Sequence, residues 1–223
     1  MHHYKPFERE HRDRFHREHR RVDYYREPAM YVTDFIETGN PTDKHVEHRT
    51  QPVVQGVGVK FFSLLEATPL PAIKLSILER VDLDYQSKVR RILRISYEDL
   101  TSISRSNLQE AITRIIYENE KIFTEFFNIA SPINIRFHVL ELLPHVGKKT
   151  LMVIIDERGK KRFENLLDFK NRVGIDPVKI LADRLIKELI GGEKYYVFIK
   201  PPEKEPQAIY LGYLEKLYAG LMM

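Results

Sequence analysis

The chain has 223 residues, of which 43% are hydrophobic and none is cysteine, and its formal net charge is +4. This length allows one large or two small domains, and the lack of cysteine excludes disulfides, thiolate zinc sites and cysteine nucleophiles. No apolar run is long enough to span a membrane and no signal peptide is visible, so we expect a cytoplasmic protein without a membrane contact.

The first segment, residues 1–27, interleaves arginines with acidic residues and holds more than half of the histidines. Its apolar residues are too few to bury a face, which predicts a mobile arm. Arginine-rich arms bind RNA or DNA backbones, whereas the alternative is a solvated tail of mixed charge. Mobile histidines rarely hold a metal without further supporting ligands. We therefore expect neither a metal nor a cofactor.

Residues 28–98 predict a small β-barrel. Stretches rich in β-branched and aromatic residues alternate with glycine- and proline-containing turns, which indicates about five short strands. This number is typical of an OB-like barrel, a fold that binds single strands through exposed aromatic and basic side chains. Lys60, Arg90 and Arg91 are the basic candidates for such contacts. The alternative for this region places its aromatic side chains in the core and its charges in water.

Two details of this region bear on that choice. Phe61 and Phe62 are adjacent, so on a strand one of them should face the core. The apolar positions of residues 88–96 do not alternate cleanly, which predicts a strand end or a bulge.

Residues 99–130 predict a connecting helix. Ser106 and Gln109 have the spacing of a capping box, and apolar residues follow at helical intervals to about Asn128. We expect the apolar face to pack between the two halves of the protein.

Residues 131–200 predict an all-helical domain of two helical hairpins. In the first hairpin, a helix stops at Pro144 and a second helix opens at Lys148. The free amides of a helix N-terminus carry partial positive charge, and lysines add to it, so this turn predicts a phosphate site. The alternative is an ordinary corner with surface lysines. The predicted contacts are Pro144, His145, Val146, Gly147, Lys148, Lys149 and Thr150.

The second hairpin differs from the first at its turn. Asp176 is placed to cap the fourth helix, with Pro177 at its first position. A carboxylate there would repel phosphate, so we expect this turn to be structural. Residues 201–223 then predict a proline-rich break and an amphipathic helix. That helix docks on its own domain or binds a protein partner through residues 208–223.

The order of these parts resembles an archaeal family of unknown function, described as predicted RNA- or nucleic-acid-binding proteins. The resemblance runs from Tyr31 to Lys200 and is carried by "YENEKIFTEFFNIASPINIRFHVLELLPHVGKKT", "IDERGKKRFENLLDFKNRV" and "KYYVFIK". It implies an α+β fold, in which an OB-like barrel is followed by an all-helical tandem helix-hairpin-helix domain. It also implies a cytoplasmic protein with no assigned catalytic activity. His145 departs from the glycine that helix-hairpin-helix turns carry there, although histidine tolerates positive φ.

No segment carries a recognisable catalytic set. The Asp-x-His that follows the hairpin in DNA glycosylases is absent, as are a Gly-Lys-Ser/Thr phosphate loop and a group of converging acidic residues. The leading hypothesis is a non-catalytic RNA-binding protein. One alternative is a protein-interaction adaptor on the ribosome or another large machine, and a further one is a DNA-binding repair protein.

Overall fold

The computed structural model describes residues 27–40 and 49–220, which form a mixed α+β fold. The predicted arm, except for Glu27, lies outside the described residues, as do segment 41–48 and residues 221–223.

A five-stranded antiparallel sheet occupies the region of the predicted barrel. Its strands are β1 Ala29–Ile36, β2 Val53–Gly58, β3 Leu64–Pro69, β4 Arg80–Asp82 and β5 Val89–Arg94. They lie in the order β4-β1-β2-β3-β5, so β4 and β5 are the edges of the sheet within the described ranges. The predicted number of strands is confirmed.

The edge strand β5 contains the predicted bulge. Arg90 pairs with Thr68 and Leu93 pairs with Glu66, so two residues of β5 face one residue of β3. Arg91 lies at this irregularity with φ +50°. Apart from Val89, every residue of β5 is exposed, which explains the missing alternation in the sequence.

The turn between β2 and β3 buries both phenylalanines. Phe62 adopts φ +57°, which lets adjacent side chains both point inward. Phe61 is 9% exposed and Phe62 only 1%. The alternative that placed these aromatic side chains in the core is therefore confirmed, and the expectation that only one faces inward was wrong because the pair lies in a turn.

Two helices follow the sheet, α1 Ser102–Glu118 and α2 Glu120–Ile129. The predicted capping box at Ser106 was wrong. Thr101 caps α1 instead, because its hydroxyl oxygen accepts the Ser104 amide at 2.9 Å. Ser106 lies inside the helix, and its hydroxyl donates to the Ser102 carbonyl. The single predicted helix is also divided at Asn119.

The second half contains more than helices. A two-stranded sheet joins β6 Pro132–Asn134 to β7 Phe137–His138, and a parallel pair joins β8 Tyr195–Tyr196 to β9 Ile209–Tyr210. A single 3-10 turn, Val139–Leu142, precedes the predicted phosphate site. The longer helices are α3 Lys148–Lys160, α4 Leu166–Val173, α5 Pro177–Ile190 and α6 Tyr213–Gly220.

The expectation of an all-helical domain, with a regular helix before Pro144, was therefore wrong. A residue before proline is pushed out of the helical region. Leu143 accordingly has φ −72° and ψ 135°. Because β7 occupies the preceding residues, only one turn of helix fits between them.

One core joins the sheet to the helices. Of the two clusters of buried apolar residues in the described ranges, the larger includes Val57 and Leu64 of the sheet, Phe126 of α2, Leu181 of α5 and Leu214 of α6. The C-terminal helix contributes to this core and packs on α2. Of the two predicted roles for the helix, the structure thus favours docking on its own chain.

Candidate nucleic-acid interface

The turn between the 3-10 helix and α3 has a backbone that few residues adopt. The Val146 amide donates to the Leu143 carbonyl at 3.2 Å, which closes the turn. His145 has φ +63°, a conformation that histidine enters more readily than most non-glycine residues. The expectation that histidine tolerates a positive φ at this position is therefore confirmed. Val146 is buried and anchors the turn, whereas His145 is exposed.

Helix α3 begins without a side-chain cap. Gly147 is its N-cap, and in the described part of the chain no side chain accepts a bond from the first turn. The first bond of the helix runs from the Leu151 amide to the Gly147 carbonyl at 2.9 Å. The amides of Lys148, Lys149 and Thr150 have no acceptor among the residues that the structure describes. Three free donors at a helix start attract an anion.

The space beside Gly147 is open. A Cβ atom built on this residue would meet no atom within 4 Å, and its φ of −85° suits any residue. The fold therefore does not itself require glycine at this position. The missing side chain instead leaves room for a ligand to approach the amides closely.

The two lysines at the start of α3 are exposed. Neither Lys148 nor Lys149 has an ion-pair or hydrogen-bond partner within residues 27–40 and 49–220. By contrast, the acidic residues further along α3 are neutralised. Asp156 and Glu157 both bind the Lys160 ammonium at 2.8 Å. The start of the helix therefore presents positive charge that no described carboxylate cancels.

The second turn provides an internal comparison. Its helix, α5, begins at Pro177, and Asp176 accepts from the amides of Val178 and Lys179 at 3.1 and 3.2 Å. Lys170 donates to the same carboxylate at 2.8 Å and holds the pKa of Asp176 below its ordinary value. The amides at the start of α5 are therefore already bonded to a carboxylate, whereas the start of α3 has no side-chain cap.

Buried polar contacts position the first turn. The His138 Nδ1 atom accepts the Leu140 amide at 3.1 Å, which requires a neutral imidazole. Burial and the charge of Arg158 lower the pKa of His138, in keeping with that role. On the other side, Arg184 donates to the Leu142 carbonyl at 3.3 Å and so ties the 3-10 turn to α5. No local pattern predicts the Arg184 contact, because it joins residues that are 42 positions apart in the chain.

The other three predicted contact residues come from the region of the sheet and not from this turn. Lys60 is in the turn between β2 and β3, where its ammonium lies 5.0 Å from the ring centroids of Phe61 and Tyr218. This contact joins the sheet to α6, so Lys60 has a packing role in addition to its charge. Arg90 and Arg91 are exposed on the edge strand β5. The seven turn residues are consecutive in the chain, whereas these three lie on other elements.

Within the described ranges, no three His, Asp or Glu side chains come close enough to hold a metal ion. None of the helices in those ranges has the length and apolar character needed to cross a membrane.

Comparison with known proteins relates most of the chain to archaeal proteins. The uncharacterized protein MJ0038 of Methanocaldococcus jannaschii is 40% identical over 181 residues, which are 78% of this chain and 80% of the relative. The crystal structure of Af1531 from Archaeoglobus fulgidus matches with a TM-score of 0.71 and 39% identity, over 78% of this chain and all of that one. Residues 26–200 match the profile of a family described as "Protein of unknown function (DUF655)". The chain therefore belongs to the DUF655 family.

Proposed function

We propose that the protein binds RNA without catalysing a reaction, and that the turn at residues 144–150 holds the phosphates. The uncapped start of α3 carries this proposal, because three amides and two lysines that have no partner among the described residues lie there. A phosphate oxygen would replace the missing cap, and the lysines would neutralise its charge.

Two features of the fold, the turn before α3 and the five-stranded sheet, support the same function. The turn has the positive φ and the buried aliphatic residue that a helix-hairpin-helix turn needs, although a 3-10 turn stands in place of its first helix. We further infer that the five-stranded sheet is an OB-like barrel left open between β4 and β5, since such barrels are five-stranded and partly open. The preference for RNA over DNA rests on the family resemblance.

The test measures fluorescence anisotropy of labelled single-stranded RNA, structured RNA and duplex DNA over a salt series. The wild type is compared with the double variant Lys148→Glu, Lys149→Glu. We expect RNA to bind with a steep salt dependence and the variant to lose at least about tenfold in affinity at low salt. Single lysine-to-alanine variants should each lower the salt slope by about one unit.

The matched control is the double variant Lys179→Glu, Lys187→Glu on α5. Both of its lysines are exposed, and Lys179 lies in the first turn of a capped helix. The control changes the net charge equally, so it should retain most of the RNA affinity. Equal losses in both variants would mean that net charge, not the turn, binds RNA. A preference for duplex DNA would favour the alternative of a DNA-binding repair protein. No binding to any of the three nucleic acids would favour the alternative of a protein-interaction adaptor.

A further inference from the structure

Tyr85 displays an aromatic ring almost fully to solvent. The side chain is 92% exposed at the tip of the loop between β4 and β5. Within residues 27–40 and 49–220 the ring contacts no other ring. Its hydroxyl accepts one hydrogen bond there, from the side-chain amide of Gln86 at 3.5 Å. Tyrosine rings dominate cores and interfaces because they bury a large apolar area. An uncovered ring contributes little to this fold.

The loop that carries Tyr85 is closely tied. The Gln86 amide donates to the Asp84 carboxylate at 2.8 Å, and the Ser87 amide donates to the Asp84 carbonyl at 3.2 Å. Leu83 and Val89 are buried at the two ends of the loop. The hydrogen-bonded turn therefore fixes the backbone that carries the exposed ring. Because this backbone is already ordered, it loses less conformational entropy when a ligand binds.

The strand that follows the loop is basic. Strand β5 contains three arginines and no acidic residue, and the Asp84 carboxylate in the loop before it is occupied in the turn. Arg90 is exposed and has no ion-pair partner among the described residues. Arg91 and Arg94 are exposed beside it on β5, an edge strand in that part of the chain. An exposed ring thus lies five residues before the first of three exposed arginines.

We propose that this surface, formed by Tyr85 and the arginines of β5, binds single-stranded RNA, with one base stacked on the Tyr85 ring. The inference rests on the proposed function and adds to it the class of RNA and a second contact. Single strands are bound by aromatic rings that stack on bases together with cations that follow the backbone. Bases of a duplex already stack on each other and do not offer a free face. An acidic peptide would pair with the arginines but would leave the ring unused.

The test titrates a labelled single-stranded 12-nucleotide RNA, and a duplex of the same sequence, into the full chain over a salt series. Tyr85→Ala should weaken single-strand binding about tenfold and leave the salt slope unchanged, because stacking releases no counterions. Tyr85→Phe keeps the stacking face and should bind like the wild type. Arg90→Ala should lower the slope by about one unit. The control is Tyr117→Ala, which removes another exposed tyrosine, located on α1.

A second readout is direct. RNA containing 5-iodouridine should form a photocrosslink that mass spectrometry assigns to Tyr85. If Tyr85→Ala binds like the wild type while the Lys148→Glu, Lys149→Glu variant loses affinity, the Tyr85 contact is wrong and the proposed function stands. If wild-type protein binds only duplex, or binds an acidic peptide but no RNA, the stacking contact is overturned. Loss in the Tyr85→Ala and Tyr117→Ala variants alike would also overturn it.

Discussion

At the scale of single residues, a buried carboxylate in the helical half accepts four hydrogen bonds. Glu188 accepts from the amides of Val197, Phe198 and Ile199 at 2.7 to 2.9 Å. It also pairs with the buried Arg184 at 2.7 Å. Breaking a buried pair leaves an uncompensated charge and costs about 3–5 kcal/mol. We therefore expect Glu188→Gln to lower the free energy of unfolding by about that amount, measured by urea denaturation.

Glu193 is the matched control, since it also pairs with Arg184, at 2.8 Å, but its side chain is 32% exposed. Arg184 keeps its pair with Glu188 after this change, and the glutamine is partly solvated, so Glu193→Gln should cost under about 1 kcal/mol. Equal effects of the two substitutions would show that the burial of Glu188 does not decide the cost. Because Arg184 also bonds the carbonyl before the turn, Glu188→Gln should weaken RNA binding together with stability.

At the scale of elements, the two helix starts differ in how their amides are satisfied. Asp176 caps α5, whereas Gly147 leaves α3 uncapped. Replacing a capping aspartate by alanine typically costs about 1 kcal/mol, and asparagine caps nearly as well. We expect Asp176→Ala to destabilise the protein by about 1 kcal/mol and Asp176→Asn by less. The measurement is urea denaturation at pH 7.

The same residue makes a prediction about pH. Lys170, followed by the amides of Lys179 and Val178, lowers the pKa of Asp176 below its ordinary value of 3.8. A carboxyl with a depressed folded-state pKa stabilises the protein above the unfolded pKa, and this contribution is lost as the pH falls. The difference in stability between wild type and Asp176→Asn should therefore be present at pH 6 and shrink below about pH 4. A difference that grows on acidification would contradict the ion pair.

At the scale of the whole molecule, the sheet and the helices share one buried cluster. Leu214 of α6 is fully buried in it. Removing a buried leucine side chain costs about 2–5 kcal/mol. We expect Leu214→Ala to lower stability by that amount and to shift the unfolding of sheet and helices together, seen as one transition by circular dichroism.

The control for this change is Met152→Ala on α3, because the Met152 side chain is 63% exposed. Its effect should stay within about 0.5 kcal/mol. If Leu214→Ala produced two separate transitions, the core would not couple the two halves. The predicted barrel and the predicted helical domain would then unfold as two independent units.

Local patterns in the sequence predicted the features that depend on neighbouring residues. The five strands, the bulge near Arg91 and the Asp176 cap follow from side-chain alternation, its interruption, and the spacing of a carboxylate from the next amides. The capping box at Ser106 failed because Thr101 offers an equally good oxygen one turn earlier, where the chain leaves the sheet. Cap motifs locate a helix start only when a single candidate is present.

The sequence by itself determined that the chain has no thiol chemistry, that it forms both strands and helices, and that His145 can take a positive φ beside two lysines. These properties depend on composition and on residues a few positions apart. Only the tertiary structure decided which charges remain available. It placed Lys60 between two aromatic rings, buried Glu188 against Arg184, and left the start of α3 and the Tyr85 ring uncovered. The reason is physical: burial and pairing depend on contacts between distant segments, which no local pattern encodes.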